Sequence, residues 1–454
     1  MKSIGIDIGT TTISIVLVDH PDLTVIQSLT LPGDTFLPTA RPWERLQDVL
    51  SILKKALPAL EGLLEGHGDI AAIGLTGQMH GIVYLDRDGR PVSPLYTWQD
   101  GRGNLPCHRS GKSVCAALNE SFGVKAATGY GLITHLYNME QGLVPPAAVS
   151  LCTIADYLGI ALTGRTSPLL HISQAASLGL YDCNMNCFNQ NIVSSLGIPA
   201  AFLPPVTSRP DMLGTFRGIP VFVSIGDNQA SFLGSVRENG RSAFHGRGAS
   251  HRDSVLVNIG TGSQISVLSD TCFESSGIEA RPFTADSYLL VGAALCGGAA
   301  YAALERFFRE YAVAAGGKDQ PQYDIMQEFL TEPHDPAQNW LVRTAFLGTR
   351  ENPEDTGSIT GIRLDNFRPA ALIRGVLNGM AQELYDLYRI IQQGVGISCT
   401  RLIASGNGVR KNSALQDILQ ERFGMKPEIE QHEEEAAFGA ALFAHSALSQ
   451  NEFA

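Results

Sequence analysis

Near the N-terminus, Asp7-Ile8-Gly9-Thr10-Thr11-Thr12 places a carboxylate ahead of a glycine and a run of hydroxyl side chains. Consecutive N–H groups in such a turn can point into one concavity and hold an anion, and the threonine hydroxyls add donors. Gly9 lets the backbone approach closely. A phosphate group suits this chemistry, and Asp7 is placed to hold Mg2+ through water, since Mg2+ keeps much of its hydration shell. An ordinary hairpin with a polar turn is the alternative. Val255 to Ser263 repeats the order of an apolar strand, a short polar residue, Ile-Gly-Thr and small polar residues. There Asn258 stands in the place of Asp7, with its shape but without its charge, so only the first turn can recruit a cation. A third segment, Leu402 to Gly408, reads as a strand entering a glycine-rich turn. The helix after it has Ser413 and Gln416 at capping-box spacing, and such a unit can hold a nucleotide with Asn412 near the helix start. Gly297-Gly298 opens another helix and is a weaker instance.

Other carboxylates sort by their settings. Asp227 follows the apolar run Val221 to Ile225 and Gly226, where it either takes part in proton transfer or caps a helix from Asn228. Asp86 and Asp88 precede Gly89 and read as turn formers. Glu433, Glu434 and Glu435 precede the small residues Ala436, Ala437, Gly439, Ala440 and Ala441. This pattern predicts a solvated, dipole-favoured helix start with close packing behind it.

The elements that must position these residues alternate between strand and helix. Ile4–Ile8 and Ile13–Val18 form a hairpin around the first turn. Leu46, Val49, Leu50, Leu53 and Leu57 predict a helix over Trp43–Leu64, and Ile70–Thr76 reads as a strand. The alternation implies an α/β architecture. With the two Ile-Gly-Thr turns half a chain apart, two similar domains are expected, 1–240 and 241–454, facing each other across a ligand cleft. Between them Arg237, Arg241, His245, Arg247, His251 and Arg252 form a basic stretch, either a surface loop or one that closes over an anion.

Composition narrows the partners. With 454 residues, 44% of them apolar and 17% charged, the chain has ample core for two large domains and is not broadly disordered. The net charge of −12 argues against nucleic acid and leaves any polyphosphate to backbone N–H groups, local cations or Mg2+. No apolar run reaches the roughly 18 residues of a membrane span. The chain opens on a strand without a leader pattern, and Cys183 and Cys187, the only close cysteine pair, fit no zinc or redox spacing. A cytoplasmic protein with no membrane partner is expected, and a homodimer is left open.

Taken together these segments resemble the actin-like (ribonuclease H-like) sugar kinases, and within them the FGGY carbohydrate kinase family, from Ile4 to about Phe443. The most specific portions are Thr76-Gly77-Gln78-Met79-His80-Gly81, Thr97-Trp98-Gln99-Asp100-Gly101-Arg102 and Gly226-Asp227-Asn228-Gln229-Ala230, with Ser173-Gln174-Ala175-Ala176-Ser177 beside them. They are similar to the ketose kinases of that family, most of all sedoheptulokinases, with xylulokinases or another sugar or polyol kinase as the alternative. The resemblance implies transfer of the γ-phosphoryl group of ATP, with Mg2+, to a primary hydroxyl of a ketose. It implies that Asp227 is the base, that Met79 and His80 lie against the sugar with Gln78 and Trp98, and that Asp100 binds sugar hydroxyls. His80 reads as a hydrogen-bond partner for those hydroxyls or as a core histidine, and Trp98 as a sugar platform or as core. Gly9, Thr10, Thr11 and Thr12 with Gly260, Thr261 and Gly262 would handle the ATP phosphates, and Gly298, Gly406, Asn407 and Asn412 the adenosine. An actin-like ATPase or a silent sugar sensor are the remaining readings; Gln78-Met79-His80 argues against the first, and Asp7 with Asp227 against the second. Many ketose kinases carry Gly-Glu-Arg where this chain has Gly348-Thr349-Arg350.

Overall fold

The computed structural model describes residues 1–107, 111–236, 249–331, 335, 338–349, 352 and 354–451. Arg237 to Gly248 of the basic stretch, and Arg350, lie outside the described residues.

Alternating apolar residues build the first hairpin. Ile4, Ile6, Ile8, Ile13, Ile15 and Leu17 are all buried. They lie on β1 (Lys2–Ile8) and β2 (Thr12–Asp19), which pair antiparallel with Ile8 opposite Ile13, so Gly9 to Thr11 form the turn. β3 (Thr24–Pro32) continues antiparallel on β2. The chain then runs through helix α1 (Val49–Gly66) to β4 (Ile70–Gly77), parallel to β1, and β5 (Ile219–Phe222), parallel to β4. Helix α2 (Asp227–Ser235) follows.

The second half repeats this plan. β6 (Ser254–Ile259) and β7 (Ser263–Ser269) are an antiparallel hairpin, and β8 (Ser287–Ala294) is antiparallel to β7. After α3 (Gly298–Ala314), β9 (Arg401–Ser405) lies parallel to β6; α4 (Ser413–Phe423) then leads to β10 (Pro427–Ile429), parallel to β9. The orders β3-β2-β1-β4-β5 and β8-β7-β6-β9-β10 therefore match strand for strand and direction for direction. The echo read in the two turns extends to five consecutive strands of each sheet.

Three expectations need adjusting. Helix α1 begins at Val49 rather than Trp43, because Leu46 and Gln47 pair antiparallel with Tyr96 and Leu95 and the Asp48 side chain caps the helix at Leu50 N. The small-residue helix at the end, α5 (Glu435–Asn451), packs closely as expected, but Glu435 is buried rather than solvated, and Glu434 accepts a hydrogen bond from Thr30 Oγ1. Finally, the chain divides into two compact units that a single cut does not describe: the described residues of Met1–Arg247, Arg281–Ser287 and Glu434–Ala454 form one, and those of Gly248–Ala280 and Tyr288–Glu433 the other. The glycines explain why α5 belongs to the first unit. A Cβ on Gly5 of β1 would lie 1.7 Å from the Ala437 carbonyl oxygen, and one on Gly74 of β4 only 1.9 Å from that of Ala440. Gly439 of α5 returns the contact, its Cβ position being 1.8 Å from the Ala230 carbonyl of α2. Only glycines let these backbones touch. Among the described residues no helix is long and apolar enough to cross a membrane, and no disulfide joins the eight cysteines.

Candidate active site

In the first unit, the C-terminal ends of β1 and β4 carry the polar residues. Asp7 sits between Ser14 of β2 and Thr76 of β4. Its Oδ1 is buried with no hydrogen-bond partner among the described residues. Burial, then the charges of Asp227 and Glu434, push its carboxyl up to about 8. A bound cation would relieve all three causes. No group of three or more His, Cys, Asp or Glu side chains among the described residues is arranged to hold a metal. A cation at Asp7 would thus keep water or phosphate oxygens as its other ligands, as Mg2+ does. In the adjoining turn, a Cβ on Gly9 would lie 2.9 Å from the Thr12 carbonyl oxygen.

Asp227 occupies the first position of α2, where Gly226 is the cap residue and no side chain makes a capping hydrogen bond. The capping alternative therefore falls. Burial raises the Asp227 carboxyl to about 6 against the pull of Arg281, and Asn228 Nδ2 donates to its Oδ1 at 2.9 Å. The turn before it is tightly held. The Ile225 carbonyl accepts from Thr76 Oγ1 at 2.7 Å and from Gln174 Nε2 at 3.2 Å, while Gly226 N donates to Ser173 Oγ at 2.9 Å. Met79 packs beneath, with its sulfur and methyl 2.9 Å from where a Gly226 Cβ would be.

The helix that supplies Ser173 and Gln174, Ile172–Ser177, also fixes His80. Ser177 Oγ accepts from His80 N at 3.1 Å, and the Ser177 carbonyl meets His80 Nδ1 at 2.7 Å. A carbonyl only accepts, so Nδ1 carries a proton. His80 has φ of +73°, which is costly for a non-glycine residue, and its ring stacks on Tyr130 with centroids 4.6 Å apart. One short helix thus positions both the strained histidine and the aspartate. Its role could not be read from Ser173 to Ser177 alone, because both partners are distant in sequence.

Trp98 reaches the turn after β1, and Gln78 reaches Gln47. Trp98 is 45% exposed, which sets aside its reading as core, and its Nε1 donates to Thr10 Oγ1 at 2.9 Å. Gln78 is buried, and its Nε2 donates to Gln47 Oε1 at 2.8 Å.

Asp100 departs from its expected role. Its carboxylate is fully buried, and each oxygen already accepts twice: Oδ1 from Arg102 N and Nε, Oδ2 from Arg45 N and Arg102 Nη2. An ionised carboxylate has about four acceptor positions, so none remains for a sugar hydroxyl. Arg102 is itself buried, 4.3 Å from the Tyr96 ring centroid, with Nη1 on Asn138 Oδ1. Asp100 therefore has its acceptor positions filled by Arg45 N and Arg102.

In the second unit a cavity of about 960 Å³ is lined by Gly260, Thr261, Gly298, Asn407 and Asn412, among others. Gly298 N donates to the Gly260 carbonyl at 2.8 Å, and a Cβ on Gly298 would lie 2.4 Å from that oxygen. Gly406, at φ +90°, lies against Ile259, and a Cβ on Gly262 would lie 3.2 Å from the Ala294 carbonyl; these two shape the turns and do not line the cavity. Asn258 Nδ2 donates to Ser405 Oγ at 2.8 Å, tying the β6 and β9 ends together. The capping box at Ser413 and Gln416 does not form. Asn412 is the cap, accepting from Leu415 N at 3.0 Å, while Gln416 Nε2 reaches the Val409 carbonyl. Tyr301 and Arg306 on α3 and Lys411 also line the cavity. The sequence signal for the first two is their spacing from Gly298, visible only once the start of α3 is known.

The N-terminal domain profile of the FGGY family of carbohydrate kinases matches residues 3–234, and the C-terminal domain profile of that family matches residues 255–448. The chain belongs to the FGGY family of carbohydrate kinases. It is accordingly a phosphotransferase, a sugar kinase, with the two-domain α/β fold of actin-like ATPases. Sedoheptulokinase of Mus musculus is 26% identical over 484 residues, covering 97% of this chain and 96% of the relative. The solved gluconate kinase of Lactobacillus acidophilus superposes with TM-score 0.82 at 18% identity, over 99% of this chain and 90% of the other. Glycerol kinase of Plasmodium falciparum, solved with ADP, gives TM-score 0.79 at 18% identity over the same shares. Both show the shared FGGY fold.

Proposed function

We propose that this FGGY kinase phosphorylates a ketose at a primary hydroxyl with ATP, and that sedoheptulose is its preferred substrate. One observation carries the reading. Asp7 Oδ1, Gln78 Oε1, Gln174 Oε1, Asn228 Oδ1 and Gln229 Oε1 are all buried acceptors with no hydrogen-bond partner among the described residues. All belong to the segments that hold or flank Asp7, Met79 and Asp227. A buried acceptor left unmet costs about 1–3 kcal/mol. Hydroxyl donors and one cation are the species that would satisfy such a set, and a polyhydroxy sugar with Mg2+ supplies both. Sedoheptulose is favoured by the near full-length match to the mouse enzyme and by the Thr97–Arg102 and Ser173–Ser177 motifs.

In this reading Asp227 takes the proton of the attacking hydroxyl as its oxygen bonds to the γ-phosphorus. The bond from that phosphorus to the bridging oxygen breaks, and ADP leaves with the electron pair. Gln78, Met79, His80 and Trp98 orient the sugar. The Gly9–Thr12 and Gly260–Gly262 turns hold the phosphates, and Gly298, Asn407 and Asn412 the adenosine. Asp7 would hold Mg2+, which offsets phosphate charge when bound. We assign the sugar site, base and first phosphate turn to residues 1–240, and the second turn and nucleotide site to 241–454. Phosphoryl transfer of this kind depends on positioning and electrostatics more than on covalent chemistry, which fits a site built largely of backbone turns.

The test is a rate panel of ADP formation with sedoheptulose, xylulose, ribulose and fructose, with 31P NMR to locate the ester. Sedoheptulose should give the highest kcat/KM and a primary phosphate ester. A higher value for xylulose would transfer the assignment to a xylulokinase, and no acceleration by any ketose would defeat the reading.

A further inference from the structure

Gln47 was not among the residues read as functional, yet its side chain is buried at 1% exposure between two of them. It lies on the two-residue ladder with Leu95 and Tyr96, directly before the Asp48 cap of α1. Its Nε2 donates to the Thr10 carbonyl at 3.0 Å, and its Oε1 accepts from Gln78 Nε2 at 2.8 Å.

This chain has only one consistent orientation. The Thr10 carbonyl can only accept, so the Gln47 NH2 must face it. The Gln47 oxygen then faces Gln78, so the Gln78 NH2 must turn toward Gln47. The Gln78 oxygen is thereby left as a buried acceptor, and it has no partner among the described residues. A backbone carbonyl in the phosphate turn thus dictates, through Gln47, that Gln78 offers an acceptor and not a donor. Trp98 joins the same turn independently, donating from Nε1 to Thr10 Oγ1 at 2.9 Å. Two residues of the proposed sugar cluster therefore converge on Thr10.

We propose that Gln47 is a positioning residue that orients Gln78 to accept a ketose hydroxyl and passes ketose occupancy to the Thr10 phosphate turn. Without ketose, the Gln78–Gln47–Thr10 chain ends on an unmet acceptor and holds the turn less firmly. With ketose, the chain is completed and the turn is set for the phosphates. ATP turnover is thereby made to depend on the sugar. This inference rests on the ketose kinase reading above.

The experiment compares the parent protein with Gln47→Leu, Gln78→Leu and the double variant, measuring ketose KM, kcat, thermal midpoint and the ratio of ADP formation with and without ketose. Gln47→Leu should raise ketose KM about five- to tenfold, the size of one oriented hydrogen bond, and lower the stimulation ratio at least as much. The double variant should match Gln78→Leu within about twofold, because both changes break one chain. A second measurement needs no variant: ketose alone, without nucleotide, should slow amide hydrogen exchange in the peptide covering Gly9–Thr12 of the parent. The proposal is overturned by a folded Gln47→Leu with KM and stimulation within twofold of the parent, by multiplicative effects in the double variant, or by unchanged exchange in that peptide. Absence of any ketose-dependent turnover in the parent would instead strike the functional reading itself.

Discussion

The position of Asp227 makes a quantitative prediction about the pH dependence of the reaction. Burial raises its carboxyl from 3.8 to about 6, so the protonated form is favoured over a range where an exposed aspartate would be ionised. A general base works only when deprotonated. Activity carried by Asp227 is therefore present above about pH 6 and lost as pH falls through it. At pH 5 roughly one molecule in ten would hold the ionised base, against about nine in ten for an unshifted carboxyl. kcat/KM should thus fall about tenfold between pH 7.5 and 5, and about tenfold per unit below that. Asp227→Asn should lose about 10²–10⁴-fold in kcat, or about 3–5 kcal/mol of transition-state stabilisation, and its residual rate should show no limb near pH 6. The Arg281 charge holds the Asp227 carboxyl down, so Arg281→Met should move the limb to higher pH. The assay is ADP release from pH 3.5 to 9, measured by discontinuous sampling at saturating MgATP, with sedoheptulose varied. A parent limb near pH 4, or an unchanged limb in Asp227→Asn, would refute the assignment of the base.

Three further outcomes follow from the packing. Asp100→Asn should lower the thermal midpoint sharply, because breaking one partner of a buried ion pair costs about 3–5 kcal/mol; an unchanged midpoint with a large rise in ketose KM would restore Asp100 as a sugar ligand. Gly298→Ala puts a methyl 2.4 Å from the Gly260 carbonyl oxygen and should raise KM for ATP at least about tenfold while leaving ketose KM within about twofold; equal changes in both would contradict a nucleotide role. Gly74→Ala puts one 1.9 Å from the Ala440 carbonyl, so the sheet and α5 must separate; urea unfolding should show a loss of about 3 kcal/mol or more, and a loss under about 0.5 kcal/mol would disprove the close seat.

What was legible in the sequence was local. Alternating apolar residues around Gly9-Thr10-Thr11 and around Gly260-Thr261-Gly262 give two hairpins, since period-two burial and small turn residues are properties of a few consecutive positions. The shared order of the two sheets was foreshadowed only by that short echo. The misreadings come from partners far along the chain. Leu46 fits a helical stripe, but Tyr96 claims its backbone for a ladder. Ser413 and Gln416 have the spacing of a capping box, but Asn412 reaches Leu415 N first and the Val409 carbonyl takes the Gln416 amide. Asp100 has the look of a ligand, and only the arrival of the Arg102 guanidinium and Arg45 N shows that it is saturated. Gln47 gave no signal at all: a glutamine before a helix cap becomes informative only when Thr10 and Gln78 are seen on either side of it.

In the proposed reaction the phosphoryl group passes from ATP to a ketose hydroxyl activated by Asp227. It is tested most directly by counting label from γ-32P-ATP recovered in sugar monophosphate per ADP formed, with sedoheptulose, in the parent and in Asp227→Ala. The ratio should be near one in the parent, and both products should be lost in Asp227→Ala with nucleotide binding retained. ADP formed at the same rate without sugar, its label released as inorganic phosphate, would contradict it.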